Sequence, residues 1–217
     1  MGLPKLAATG LYSVEEYLAL ERSTQERHTY LDGHIFKMAS ESEAHSDICV
    51  NVIAELRTQL RRTPCRVWTK DAKIRSGPQR PKPNSRKGLF SYPDIVVVCG
   101  ERQYLDEHRD VLLNPTVIIE VLSPSTEAFD RNEKLRRFRL YLPTLVDYVL
   151  IEQNAPAIVH YRRQTDGLWV VAFADGLNSS VYLASINCQL SLEEVYDRVE
   201  FPPDEEVSAT EPEFPAM

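Results

Sequence analysis

"VIIEVLSPSTEAF", residues 117–129, decides how the chain reads. Five of its first six residues are apolar, and the exception, Glu120, is an acid in the middle of the run. Side chains alternate across a β-strand. Ile118, Glu120 and Leu122 therefore share one face, and Val117, Ile119 and Val121 share the other. A carboxylate left alone in a core costs several kcal/mol, on the order of the desolvation penalty of an unpaired charge, or keeps its proton. Glu120 needs an Arg or Lys partner, a metal ion, or a place at the sheet edge facing water. A second run, "YPDIVVVC" at 92–99, poses the same question, because Asp94 opens an otherwise apolar strand. Pro93 pins the chain just before it. Asp94 as a turn-capping residue and Glu120 in a structural salt bridge are the plain alternatives.

Two acids on neighbouring strands can converge on one hard divalent cation. Mg2+ is typically held by one or two carboxylates, with water filling the remaining positions. Such an ion polarises a phosphate and acidifies water, and a nearby lysine would orient that water and offset developing charge. The helix after the strand, "STEAFDRNEKLRRFRLYL" (125–142), is expected to start at a Ser125 or Thr126 cap. Leu135, Phe138, Tyr141 and Leu142 define its buried arc. At ~100° per residue, Lys134 lies roughly 60° from the middle of that arc. It can reach the strand ends, or it can simply snorkel from a core-facing position. Arg131 points the same way, whereas Arg136, Arg137 and Arg139 read as surface charge.

Outward from these runs, residues 13–23 have helical spacing with Ser13 as N-cap, and 29–39 read as a hairpin turning at Asp32-Gly33. Residues 42–62 form the clearest amphipathic helix, with Ile48, Val52, Leu56 and Leu60 on one side. Residues 65–75 alternate like one strand, and 76–90, rich in Pro, Gly and bases, read as a loop. Three strands follow within 146–175, then a short helix at "SLEEVYDRV". The order gives an α+β fold, an α/β sandwich in which a mixed central sheet is flanked by helices. Residues 1–199 are expected to form a single domain and 200–217 an acidic disordered tail.

The chain has 217 residues and a formal net charge of −7. Glu200, Asp204, Glu205, Glu206, Glu211 and Glu213 sit in the tail without a base; setting them aside brings the 32 acids nearly level with the 25 bases. Between Arg57 and Lys87 a basic band contains Arg61, Arg62, Lys70, Lys73 and Arg75 and only one acid, Asp71. It suits a polyanion, and it equally suits a solvated helix face with a charged loop. No apolar stretch approaches the ~20 residues of a membrane span, and the N-terminus lacks a signal-peptide pattern. Cys49, Cys65, Cys99 and Cys188 have no CxxC spacing and read as reduced thiols of a cytoplasmic protein.

The ordered series "YLDG", a helix carrying His45, "YPDIVVV", "IEVLSPSTEAFDRNEKLRRF" and "VDYVLIEQ" resembles the Uma2 (DUF820) group of restriction-endonuclease-like proteins, within the PD-(D/E)xK nuclease superfamily. The resemblance runs from about residue 13 to residue 199. It implies a restriction-endonuclease-like core with a Mg2+ or Mn2+ site. Asp94 and Glu120 would be the acids of that site, the Val121 carbonyl a further metal contact, and DNA the substrate. The lysine expected two residues after Glu120 is replaced by Leu122, and Lys134 is the natural substitute. His45 would assist the site or bind phosphate, or is a half-buried polar residue; Glu41, Glu43 and Asp71 are further acids that would approach it. Many relatives carry Glu where Thr29 stands. Three functions compete: a metal-dependent endonuclease, a non-catalytic nucleic-acid-binding module on the same fold, and a protein-interaction domain. A homodimer would let two sites act on two strands.

Overall fold

The first helix and hairpin form where the local signals place them. In the computed structural model, which describes residues 10–38, 40–78 and 84–202, α1 (Val14–Ser23) starts in a capping box made by Ser13 and Glu16. Strands β1 (His28–Leu31) and β2 (His34–Lys37) pair around Asp32 and Gly33, both at positive φ (45° and 99°), the geometry of a tight hairpin turn. Helix α2 (Glu43–Gln59) is capped by Ser42 and buries Ile48, Val52 and Leu56.

The predicted single strand over 65–75 is instead two strands in different sheets, β3 (Cys65–Thr69) and β4 (Lys73–Ser76). The chain turns between them through backbone bonds from Ala72 to Thr69 and from Lys73 to Asp71. The loop read over 76–90 ends earlier than expected, because Leu89 and Phe90 are fully buried in β5 (Leu89–Ser91). Then come β6 (Ile95–Cys99), the short β7 (Val111–Leu112) and β8 (Val117–Val121).

The helix expected over 125–142 is present but not regular. A short α3 (Glu127–Phe129) runs through a wide π-helical turn (Asp130–Lys134) into α4 (Leu135–Tyr141). No side chain caps its start at Thr126. Strands β9 (Asp147–Ile151), β10 (Ala157–Arg163) and β11 (Trp169–Asp175) follow as read. The hairpin β12 (Ser180–Leu183) and β13 (Cys188–Ser191), which the sequence did not announce, precedes α5 (Leu192–Val195).

One sheet has the order β2-β1-β5-β4-β7, and the larger one β11-β10-β9-β8-β6-β3. Strand β8 lies inside the larger sheet, antiparallel to β6 and parallel to β9. That explains its near-continuous apolar run: both of its faces are covered. Val117, Ile119 and Val121 pack with Ile48 and Val52 of α2, while Ile118 and Leu122 pack with Phe138 of α4. Glu120 is on the α4 side.

Two side-chain expectations are corrected. Cys65 and Cys99 are not free thiols but form a disulfide, because the pairing of β3 with β6 sets them opposite each other although they are 34 positions apart in sequence. Cys49 and Cys188 are free and buried. Arg137 is not surface charge: it is buried between Asp32 (2.7 Å) and Glu133. Among the described residues no helix is long and apolar enough to cross a membrane. The acidic tail lies almost wholly outside the described residues.

Candidate active-site cleft

Strand pairing brings the two acids together. Ile95 pairs with Ile119, so one step further along the register Asp94 faces Glu120 at the ends of β6 and β8. The connection is direct. The Val121 N–H donates to Asp94 Oδ2 at 2.8 Å, and the Asp94 N–H donates to Glu120 Oε2 at 3.4 Å. Both acids are buried, and both line a cleft of about 320 Å3.

The π-helical turn supplies the rest. It aims Asp130 and Lys134 at the strand ends, and the Lys134 ammonium lies 2.8 Å from Glu120 Oε1 and 2.7 Å from Asp130 Oδ1. Asp130 Oδ1 forms an ion pair with that ammonium and takes no other hydrogen-bond partner among the described residues. The Tyr148 hydroxyl donates to the Asp130 carbonyl at 3.1 Å and anchors the wide turn to β9. Lys134 is therefore more central than its wheel position indicated. Wide helical turns of this kind recur at functional sites.

Two buried acids, Glu120 and Asp130, share one ammonium, and Asp94 lies beside Glu120. Burial raises the Glu120 carboxyl to about 8; Lys134 pulls it down, but Asp130 and Asp94 push it further up. Burial works against the charged form of Lys134, yet Asp130 and Glu120 outweigh it and keep the lysine protonated. His45, from the first turns of α2, places Nε2 3.2 Å from Asp94 Oδ2. Burial lowers its pKa, but Asp94, Glu120 and the Val121 carbonyl more than offset that, and the net direction is upward. Its Nδ1 lies 3.7 Å from the Cys49 sulfur.

The residues present fit a hard divalent cation. Asp94 and Glu120 offer carboxylate oxygen donors side by side, the ligand type that Mg2+ and Mn2+ select. His45, Cys49 and Asp94 also have donor atoms within 4.8 Å of one another. Burial, with Asp94 and Glu120 nearby, raises the Cys49 thiol and keeps it protonated, so it is the poorest donor of that set.

Other sequence candidates lie elsewhere. Asp71 sits in the turn between β3 and β4, pairs with Arg27 at 2.6 Å and does not join the acids. Arg131 pairs with Glu127 at 2.8 Å and with Glu152, and turns away from the cleft. Arg61 and Arg62 are exposed at the far end of α2, ~24 Å along its axis from His45. Lys73 is buried against Asp110 (3.3 Å), and Arg75 is buried and donates to the Pro78 carbonyl. Lys70 alone of these five bases reaches the rim, where it pairs with Glu41. Asp130 was missed; its i,i+4 spacing to Lys134 was the available signal.

The model of the Uma2 family, described as "Putative restriction endonuclease", matches residues 14–211. An uncharacterized protein of Synechocystis sp., slr1290, is 32% identical over 191 residues, covering 87% of this chain and 93% of its own. A second Synechocystis protein, sll1609, also uncharacterized, is 26% identical over 176 residues, covering 81% of this chain and 94% of its own. Among solved structures, a "putative nuclease belonging to DUF820" from Anabaena variabilis superposes with a TM-score of 0.65 at 18% identity, over 85% of this chain and 97% of that one. That likeness establishes the α+β fold.

Proposed function

The chain belongs to the Uma2 family, and from that premise we propose that it is a Mg2+- or Mn2+-dependent endonuclease that hydrolyses phosphodiester bonds in DNA. The observation that carries the reading is the Lys134 ammonium held 2.8 Å from Glu120, beside Asp94, at the floor of a cleft. The lysine missing from position 122 is thus replaced in space, from the helix that follows the strand. Leu122 itself is buried in the apolar core and takes no part.

Asp94 and Glu120, with the Val121 carbonyl, would hold the ion. When bound, the ion supplies Lewis-acid polarisation of the phosphate and lowers the pKa of water. The chain's own groups do the remaining work. Lys134 stays charged and offsets the negative charge that builds on the phosphoryl oxygens. Glu120 carries a proton near neutral pH, which it would have to give up to serve as a metal ligand. The Val121 N–H fixes the direction of the Asp94 carboxylate, and His45 lies against the same oxygen.

The test is cleavage of supercoiled plasmid with Mg2+ or Mn2+ by the wild type and by Asp94→Asn, Glu120→Gln and Lys134→Met. The expected result is nicking that EDTA abolishes and that falls at least ~100-fold in each variant, in line with the loss of a charge-stabilising group. Cutting by Asp94→Asn at the wild-type rate would refute the assignment. Salt-sensitive binding with no cutting by the wild type would leave a DNA-binding module instead.

A further inference from the structure

Six of the ten large apolar side chains most exposed on the described surface fall between residues 168 and 182: Leu168, Val170, Val171, Phe173, Leu177 and Tyr182. Four of these lie on or beside β11, the edge of the larger sheet, with Phe173 at 70% and Leu168 at 67% exposure. A sheet edge offers unpaired N–H and C=O groups, and proteins normally guard it with charge, proline or shortness. The other long edges here obey that rule. Strand β3 carries Arg66, is followed by Lys70 and is bonded to β6, and β2 begins with His34 and ends with Lys37. Strand β11 is seven residues long, with no charge before Asp175 and no proline. It is the longest edge strand among the described residues.

Beside that edge a charge is also unmet. Arg163 and Arg139 approach the Trp169 ring, with guanidinium carbons 4.9 and 5.9 Å from its centre. The Arg163 Nε is buried without a partner, and its terminal nitrogens donate only to backbone carbonyls of Arg139, Leu142 and Pro143. No carboxylate pairs with either arginine among the described residues. At the other end of β11, the exposed Asp175 carboxylate pairs with no cation among the described residues.

We propose that β11 is the interface of a homodimer, pairing antiparallel with β11 of a second copy about a two-fold axis at Ala172. That axis sets Trp169 opposite the second copy's Asp175, and Val171 opposite its Phe173. Directly opposed side chains on antiparallel strands lie ~4.5–5.5 Å apart at Cβ and share a face. Each Asp175 would then arrive beside Trp169 with its two arginines, once at each end of the interface. The apolar pairs Val171–Phe173 fill the space between. A small residue on the axis lets the two strands approach, and the self-complementary order of charge, apolar, small, apolar, charge is what an isologous contact requires. A different protein partner would have to reproduce that order by coincidence.

The test is the mass of the full chain in solution by light scattering, with and without Phe173→Glu, and with Val50→Glu, a comparably exposed site on α2, as control. The expected result is a particle of twice the chain mass for the wild type and Val50→Glu, and of single mass for Phe173→Glu. A substitution at so exposed a position leaves the fold intact, which circular dichroism will verify. Ala172→Cys tests the axis, since opposed residues fall within the ~4.4–6.8 Å Cα separation that a disulfide spans. Mild oxidation with diamide should join two chains of that variant, and none of the wild type. A monomeric wild type, a Phe173→Glu dimer, or an Ala172→Cys variant that does not cross-link each overturns the proposal.

Discussion

Replacing Lys134 by Met removes the one cation that, among the described residues, pairs with Glu120 and Asp130, both at most 3% exposed. Breaking a buried ion pair by deleting one partner costs about 3–5 kcal/mol, because the remaining charge is left in a poor solvent. The loss depends on pH, and its sign follows from Glu120. The folded-state value of about 8 lies above the ordinary 4.5, so the folded chain keeps a proton that the unfolded chain releases. Stability tied to that proton is complete below 4.5 and fades as pH climbs through 8. Without Lys134 the folded-state value rises further. Between pH 5 and pH 7 Glu120 is neutral in both folded proteins, so the deficit there is level and comes from Asp130, left without its cation, up to ~3–5 kcal/mol. Above pH 8 only the wild type ionises Glu120, and the deficit widens by about 1.4 kcal/mol per pH unit. For a domain of this size the level part corresponds to a drop of roughly 6–20 °C in Tm. Urea unfolding followed by circular dichroism, in EDTA at pH 6 and pH 9, measures it. A deficit that does not widen from pH 6 to pH 9, or one below ~1 kcal/mol at pH 6, would contradict the placement of Lys134 between two buried carboxylates.

Other outcomes follow from the same geometry. Glu120→Gln should flatten the stability profile between pH 5 and pH 8, since it deletes the group whose ionisation burial opposes; an unchanged slope in urea titrations would argue against that origin. Mn2+ at a hundredfold of its dissociation constant should stabilise the wild type by about 2.7 kcal/mol. That is a Tm rise of roughly 5–11 °C, and calorimetry should find none for Asp94→Asn. The disulfide spans 34 positions. Cross-linking a loop of that size constrains the unfolded chain by at most about 4 kcal/mol. Replacing both Cys65 and Cys99 by Ser should lower the denaturation midpoint within that ceiling while leaving the metal response in place.

Local chemistry was legible in the chain, and distant pairing was not. Asp32-Gly33, the Ser13 cap and the Ile48–Val52–Leu56 stripe act over a few residues, and the structure has all three. The alternation around Glu120 correctly gave its face. Asp94 and Lys134 could be matched to it because strand order and family pattern agree. The disulfide was invisible, since nothing near Cys65 announces that Cys99 will be its cross-strand neighbour. The basic band misled for a related reason. Clustering in sequence gathered Arg61, Lys73 and Arg75, whereas the turn at Asp71 and the length of α2 send them to separate parts of the molecule, two of them into buried positions. Arg137 looked like surface charge because its partner, Asp32, lies in a hairpin more than a hundred positions earlier. Asp130 was overlooked because ideal 100° spacing does not describe a stretch that is wound more loosely than that.

That looser winding has an evolutionary and engineering corollary. The stretch Asp130–Lys134 accommodates more chain per turn than its neighbours do. Removing one residue from it would let the helix tighten into an ordinary one, a change that an isolated peptide would welcome. The same deletion would rotate the preceding turn by ~100° relative to the following one. The preceding turn, which lines the cleft through Thr126 and Phe129, would then face elsewhere even though every helical hydrogen bond was satisfied. Selection for a more regular helix and selection for an intact cleft thus oppose each other at this one spot, and chain length here, as much as residue identity, is under constraint.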